Sequence, residues 1–572
     1  MTLSRHELRD GQRESTPSSP ILPFDLQGIA TCLLCFLGLV LFFFLSQNRM
    51  TVVYDEGIAL TAVMRVMAGQ IVHRDFYYNY GPAPLYIEAG LFRLFGPSVL
   101  VERLFGITGA VVIVLSIYGM VRQMCSRRVS QMAALLCIVW EFGDGGARDF
   151  LPVFILWPTW LVSAAFGRNI SARRAFAAGL LVGIATLFRY DMGIGSVVCH
   201  IVAVAIGAGL RTQSLSQWLR AMVTNLWAYV IGLALIVAPL TWAYLRVGSL
   251  HDVLFDIVIY TAKHYRLGRG LPFPRPQSLS QLQELVVYAV LVLIVVSVYV
   301  SGRWVLEQRR HYGESETLPH WVGVLVAFSL VALMLFAKAS VRIGAGGVFP
   351  ALLCCVIMAA VLYNQRAKYG VVLRTTVALS LFAMFVTGVW ASMHQVSGER
   401  KSGGSMLLWL LEPGRMAPRA PYRSWCSEKT PITRGLCFLM DEDHIQTVEF
   451  LIQHTRPEDT LYVGLPQHDR ILINDNMTYF ATQRLPATKW SHFDPFLQNS
   501  VATQQSMIAD LERNKPPYVV LDSQFDALHE PNGSSVHTGV HLLDNYIAQN
   551  YRWVETFGKM SVLQRSGPEP GA

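Results

Sequence analysis

Charge is what this sequence has little of. Asp, Glu, Lys and Arg make up 15% of its 572 residues, against about 25% in an ordinary soluble domain. Hydrophobic residues reach 52% and mean hydropathy is +0.37, values that exclude a conventional water-soluble globule. Other patterns are missing as well. There is no Walker A motif and no G-x-G-x-x-G after a strand, which argues against soluble-nucleotide chemistry. His73, His251 and His264 are scattered, and no His/Cys cluster has metal-ligand spacing. No internal repeat is visible, as a transporter built from two related halves would show. The first apolar stretch, Gly28 to Leu45, is followed by SQNRM and not by a small-residue cleavage site, so it reads as an uncleaved signal anchor.

The charge that is present is unevenly placed. The net charge is +8, which taken alone suggests a polyanionic partner. Residues 394–572 carry 16 basic and 20 acidic side chains, a net of −4, and the preceding residues carry 31 and 19, a net of +12. The excess lies among the apolar runs and not in the polar tail, the pattern of a polytopic membrane protein and not of a nucleic-acid binder.

A bilayer core needs roughly 20 apolar residues in helical form. After the first span, further spans are expected near 99–121, 131–143, 150–167, 174–188, 192–210, 222–245, 284–302, 320–338, 347–363 and 371–393, about eleven in all. Basic residues fall in alternate loops: Arg5, Arg9 and Arg13; Arg122, Arg127 and Arg128; Arg168, Arg173 and Arg174; Arg211 and Arg220; Arg303, Arg309 and Arg310; Arg366, Lys368 and Arg374. Positive loops stay in the cytoplasm. Residues 1–27 are then a cytoplasmic tail, 28–393 a transmembrane domain with long external loops 46–98 and 246–283, and 394–572 an external domain. In the tail, DEDHIQTVEFLIQHT and SMIADLERN have helical periodicity, TLYVG and PPYVVLD read as strands, and HLLDNYIAQN, YRWVETF and KMSVLQR as a helix and two strands. The expected fold class is an α-helical polytopic membrane protein with a C-terminal extracytoplasmic α/β domain. Seven of nine cysteines lie in or near spans, including Cys32 and Cys35 as small helix residues. Cys426 and Cys437 lie in the external domain, where a disulfide is permitted.

Cytoplasmic charges are explained by topology, so the informative ones are external. They include Asp55, Glu56, Arg65, His73, Arg74, Asp75, Glu88, Arg93, Glu102, Arg103, Arg148, Asp149, Arg189, Asp191, Lys263, His264, Arg266, Lys338 and Arg342. Several separate loops bring acids and bases to one membrane face, which suggests a site assembled at the interface. TVVYDEGIALTAVMRVMAGQ reads as a helix along the membrane, with Ile58, Val63, Val66 and Met67 on its apolar side. Asp55 is then either its N-cap, with Glu56 a first-turn acid, or a positioned general base; the two roles are compatible.

YDEG shortly after the first span, followed by GQIVHRDFYYNYGPAPLYIEAGLFRLFG, resembles the first external loop of the GT-C membrane glycosyltransferases. The likeness is to bacterial members related to protein O-mannosyltransferases and to the aminoarabinose transferases of lipid A. AGLLVGIATLFRYDMG is similar to a mid-chain segment of that family, and HTRPEDTLYVG, HDRI, RLPATKW and PPYVVLD to its external C-terminal domain. The resemblance implies an inverting glycosyltransferase that moves a sugar from a polyprenyl-phosphate donor to an acceptor outside the cytoplasm: a cell-envelope glycan, a lipid or a protein. Asp55 matches the family's base. One carboxylate suffices to deprotonate an attacking hydroxyl when a lipid phosphate is the leaving group, and partial burial at the interface would strengthen it. Glu56 is its expected helper. Asp149 is where a second family acid could sit, or else it pairs with Arg148 or caps the next helix. Asp75 is either functional or the partner of Arg74.

Guanidinium suits a donor phosphate because it binds two oxygens at once. Arg342 and Lys338, in AKASVRIGAGG, are candidates, Arg189 is next, and Lys263 and Arg266 come after those; for Lys263, Arg266 and Arg342 the alternative is snorkelling to the headgroups. Relatives often place an acid and a His after the equivalent of Arg342. Here IGAGG follows, which weakens a metal or acid–base role there and leaves phosphate binding open. No cofactor is expected; a divalent cation, if one binds, would fall to Asp55, Glu56 and Asp149. The expected localisation is a bacterial inner membrane, among membrane lipids. The rival readings are a transporter or flippase for a lipid-linked or polar substrate, and a membrane anchor for a binding domain.

Overall fold

The computed structural model describes residues 26–45, 53–143, 150–312, 318–396, 422–425 and 438–566. Asp149, Cys426 and Cys437 lie outside the described residues. The chain begins with α1 (Leu26–Leu45), then two helices, α2 (Asp55–Met67) and α3 (Ala83–Phe95), that precede the long apolar ones. Next come α4 (Val99–Arg122), α5 (Arg127–Gly143), α6 (Leu151–Val162, extended by a 3-10 turn to Phe166), α7 (Ala172–Phe188), α8 (Tyr190–Arg211) and α9 (Leu215–Arg246). An irregular helical stretch follows over 250–269, with two π-helical turns at Phe255–Ile259 and Thr261–Tyr265. The set ends with α10 (Leu285–Tyr312), α11 (His320–Ala339), α12 (Ala345–Asn364) and α13 (Val371–Val396).

A helix occurs at every segment expected to span. Among the described residues seven are long and apolar enough to cross a membrane: α4, α8, α9, the helical run Gln281–Glu307, α11, α12 and α13. The other four are shorter in their described apolar part. α5 and α7 have 17 residues each, and α1 and α6 are apolar over Leu26–Gly38 and Leu151–Phe166. Seven of the eleven expected spans thus meet the length and composition of a membrane crossing among the described residues, and the full count of eleven is not confirmed.

The helices pack by different means. α12 buries almost every residue from Ala351 to Leu362 and forms the axis of the largest apolar cluster. α7 and α9 instead meet through glycine. A Cβ on Gly179 would come within 2.0 Å of the Tyr229 carbonyl oxygen, and one on Gly232 within 2.3 Å of the Phe176 oxygen. Without a hydrophobic drive between helices in lipid, such small-residue contacts let backbones approach and gain dispersion energy.

The C-terminal α/β domain follows the expected pattern closely. A two-stranded antiparallel ribbon joins β1 (Tyr422–Trp425) to β2 (Phe438–Asp441). Then come α14 (Glu442–His454), β3 (Thr460–Gly464), α15 (Met477–Thr482), β4 (Leu485–Pro486), α16 (Val501–Asn514), β5 (Tyr518–Asp522), α17 (Leu542–Asn550), β6 (Tyr551–Phe557) and β7 (Met560–Arg565). The sheet order is β4-β3-β5-β7-β6. β4, β3 and β5 are parallel, and β7 and β6 antiparallel. Strand alternation sends Leu461, Val463 and Val520 to one face, packed with Leu451 of α14. It sends Tyr462 and Val519 to the other, packed with Met507, Leu511, Leu543 and Ile547 of α16 and α17. The second cluster also contains Tyr77 and Tyr260, so this domain shares a core with the loops over the membrane body.

Candidate functional site

Helix α2 is not an interfacial helix. Residues 56–58 and 60–66 are buried, and Ile58, Val63 and Val66 share an apolar cluster with Leu85 and Phe92 of α3 and with Met477 and Phe480 of α15. The apolar face expected to meet lipid meets the C-terminal domain instead, and the opposite face is covered too. The approach is close. A Cβ on Gly57 would lie 2.6 Å from the Met477 amide nitrogen. The Val53 carbonyl accepts from the amides of Asn476 and Met477 at 2.9 and 3.1 Å, and Thr61 donates to the Asn476 carbonyl at 2.9 Å.

This clamp presents Asp55. Tyr54 takes the N-cap position and Asp55 is the first helical residue, exposed; the cap role considered for it goes to its neighbour. Among the described residues its carboxylate has no hydrogen-bond or ion-pair partner, and the burial expected for it is not found. Glu56 is committed elsewhere: it is buried, and both its oxygens receive the Arg103 guanidinium of α4, at 2.8 and 3.2 Å. It anchors α2 to the body, so the arrangement does not offer it as a helper facing an open site. Asp75 closes its own turn. It takes two bonds from Arg74 and one from the Ile71 amide, and the Arg74 bond holds it below the usual carboxylate range. The local-pair reading holds for that residue. Arg65 is a staple: it donates to Gln70, the carbonyls of Thr488 and Asp75, and Ser491. Burial pulls its pKa down to about 10.

Beneath Tyr54 lies a buried polar network that sequence reasoning missed. Arg269 donates to Asp494 Oδ1 through Nε at 3.1 Å and Nη2 at 2.8 Å, to the Tyr54 hydroxyl at 2.7 Å and to the Phe493 carbonyl at 3.1 Å. Tyr54 in turn donates to the Phe493 carbonyl at 3.1 Å and lies 3.3 Å from His492 Nε2. Tyr77 and Asn79 donate to Asp494 Oδ2 at 2.8 and 3.4 Å. Burial works against the Arg269 charge, but Tyr54 and Asp494 beside it more than restore it, so the guanidinium stays cationic. Arg266, the candidate three residues earlier, is exposed.

The basic candidates divide into two groups. Arg189, at the α7–α8 junction, stacks over the Tyr80 ring at 4.6 Å and pairs with Asp191 at 2.9 Å. Lys338, at the end of α11, reaches the same Asp191 oxygen at 3.7 Å. Tyr80 is within electrostatic reach of both Arg189 and Asp55. Arg342, in the α11–α12 connection, pairs with Glu530 of the C-terminal domain. Tyr265 lies within electrostatic reach of Arg189, Arg269, Arg342 and Asp494. For Arg342 the pairing with Glu530 takes the place of simple snorkelling. A second buried pair, His73 Nδ1 with Asp256 Oδ2 at 2.9 Å, fixes the first loop to a π-helical turn. His73 does so at a positive φ of 70°, backbone strain that surrounding contacts must hold. Among the described residues no three His, Cys, Asp or Glu side chains converge as a metal site.

A helical body with seven candidate membrane spans among the described residues is roofed by an α/β domain, with an exposed acid and several guanidinium groups at the junction. Residues 79–242 match the family described as dolichyl-phosphate-mannose-protein mannosyltransferase. Among solved structures the chain is similar to ArnT from Cupriavidus metallidurans bound to undecaprenyl phosphate, with 13% identity, 94% of this chain and 99% of that one covered, and a TM-score of 0.51. The same protein in its apo state gives 13% identity, the same coverage and a TM-score of 0.50. The archaeal oligosaccharyltransferase AglB from Archaeoglobus fulgidus, in complex with an inhibitory peptide and a dolichol-phosphate, gives 11% identity, 95% and 75% coverage, and a TM-score of 0.46. No curated protein matches the chain in sequence.

Proposed function

We propose that this protein transfers a sugar, with inversion, from a polyprenyl-phosphate donor to a hydroxyl acceptor on the extracytoplasmic side of a bacterial inner membrane. The acceptor is a cell-envelope glycan, a lipid or a protein. The observation that carries the reading is Asp55: an exposed carboxylate without a partner among the described residues, on a clamped helix start, with Arg189 stacked on Tyr80, a ring within electrostatic reach of both. In the reaction Asp55 accepts the proton of the acceptor hydroxyl as its oxygen bonds to the anomeric carbon. The bond from that carbon to the phosphate oxygen breaks, and the negative charge left on the lipid phosphate falls to Arg189 and Lys338, with Arg342 beyond them. A good leaving group lowers the demand for a general acid, so a single positioned carboxylate is sufficient. The resemblance of the first loop to the GT-C loop, and the lipid phosphate bound by the structurally similar ArnT, support the donor class.

The test has two stages. Mass spectrometry of envelope glycans from a deletion strain identifies the lost sugar and its acceptor. Complementation with Asp55→Asn is then expected to leave transfer reduced by about 10²–10⁴-fold, the usual range for a positioned base, with normal expression. Transfer at the wild-type level by Asp55→Asn would remove the base assignment.

A further inference from the structure

Two arginines of the site face carboxylates of the C-terminal domain, and the pairs differ in kind. Arg269–Asp494 is sealed: its side chains are 7% and 2% exposed. Arg342–Glu530 is open, at 40% and 20%. In the open pair Arg342 Nη1 donates to Glu530 Oε2 at 2.7 Å and Nη2 to Oε1 at 2.5 Å, both oxygens on one fork. A phosphate group offers the same two-oxygen geometry with equal or greater charge.

The pair is tied in further, since Asn532 donates to Glu530 Oε2 at 2.9 Å and Arg342 Nη1 to the Arg269 carbonyl at 3.3 Å, but the backbones on either side also have contacts of their own. Arg342 is bridged to Leu271, whose amide donates to the Val341 carbonyl at 3.0 Å. The Glu530 loop is held by Asn532, which donates to the Gly270 carbonyl at 3.1 Å, and by the Glu530 amide donating to Ser535 at 2.9 Å. A rotation of the Glu530 side chain gives up its bonds from Arg342 and Asn532 and opens the carboxylate-facing side of the guanidinium, while the Leu271–Val341, Asn532–Gly270 and Glu530–Ser535 bonds still hold both loops.

We propose that Arg342 is an anion subsite whose resident anion is the Glu530 carboxylate, and that a lipid phosphate exchanges with it on binding. This rests on the lipid-phosphate reading above and deepens it. Glu530 is an internal competitor: apparent affinity falls by the fraction of molecules in which Arg342 is free. The competition keeps a strongly basic site from trapping the phosphate it must release after transfer. The phosphate can come from the polyprenyl carrier or from an ordinary headgroup, and both share this chemistry.

The experiment measures binding of undecaprenyl phosphate to the full-length protein in detergent micelles, for wild type, Glu530→Gln, Arg342→Gln and the double variant. Glu530→Gln is expected to bind about tenfold tighter, since an exposed ion pair is easily opened yet always competing. Arg342→Gln is expected to bind more weakly, and the double variant to match it, because Glu530 acts only through Arg342. Thermal unfolding of each variant verifies that it is folded. A Glu530→Gln affinity equal to or below wild type overturns the proposal, and so does tightening that persists in the Arg342→Gln background. Parallel titrations with phosphatidic acid and inorganic phosphate separate the sources. A Glu530-dependent gain confined to undecaprenyl phosphate assigns the subsite to the carrier, and an equal gain with phosphatidic acid assigns it to headgroups. Binding lost in Arg189→Gln but indifferent to Arg342 and Glu530 overturns the subsite and keeps the donor class. No binding of undecaprenyl phosphate by any variant overturns both.

Discussion

Asp494 accepts from Arg269 twice, from Tyr77 and from Asn79, at a position 2% exposed. Removing one member of a buried pair leaves the other charge unmatched, at a cost of roughly 3–5 kcal/mol. Asp494→Asn is therefore expected to lower the thermal unfolding midpoint in detergent sharply. Tyr54→Phe, which removes a hydroxyl engaged by Arg269 and Phe493, is expected to cost about 1–3 kcal/mol. A second residue sets a pH dependence. His444 accepts burial because Asp441 lies 2.7 Å from its Nδ1 and Asp475 3.7 Å from its Nε2. Burial opposes its charge, but these acids raise its pKa from 6.5 to about 9. The folded state then keeps a proton that the unfolded chain loses, so this contribution is complete below pH 6.5 and disappears as pH rises through about 9. Unfolding followed from pH 6 to 10 is expected to show stability falling across that window, and His444→Gln to flatten the fall. Apart from Asp441, three residues before His444, these partners were not legible locally. Arg266 and Arg269 both end one short helical run, and what buries the second is an acid 225 positions away.

Elements were easier to read than their neighbours. The periodicities of α14, α16 and α17 and of β3, β5, β6 and β7 located each one, because a strand or helix with one buried face writes that face into its own sequence. The 466–500 stretch had no such period. It is mostly irregular and largely buried, and it delivers His492 and Asp494 to the site. Helix α2 shows the same limit from the other side: its apolar residues announced a face, but whether lipid or protein covered it depended on Met477 and Phe480. Glycine at helix contacts makes a test at this scale. Gly232→Ala puts a Cβ 2.3 Å from the Phe176 carbonyl oxygen, so α7 and α9 must separate. The expected cost is about 1–3 kcal/mol, read as a lower unfolding midpoint, while Gly38→Ala, which meets nothing within 4 Å, is expected to be neutral.

Across the whole molecule, the C-terminal domain has a structural part to play. It covers α2, occupies Arg65 and Arg269, and supplies the carboxylate on Arg342. A chain ended after Val396 would expose the α2 cluster and strand buried guanidinium groups. It is expected to aggregate or be degraded when expressed, as measured by size-exclusion profile and yield. By itself the sequence determined the class: a scarcity of charge and a positive excess between apolar runs require helices in a membrane, and strand and helix periods require an α/β tail. These are properties of short windows, set by transfer energy and by side-chain repeat. It also marked Asp55 through a local motif. Only the tertiary structure decided which acids remained free, since Asp55 and Glu56 are adjacent and differ because Arg103 reaches one of them. It alone also decided which cations met which carboxylates. Pairing depends on distances between segments far apart in the chain, and no local pattern encodes those.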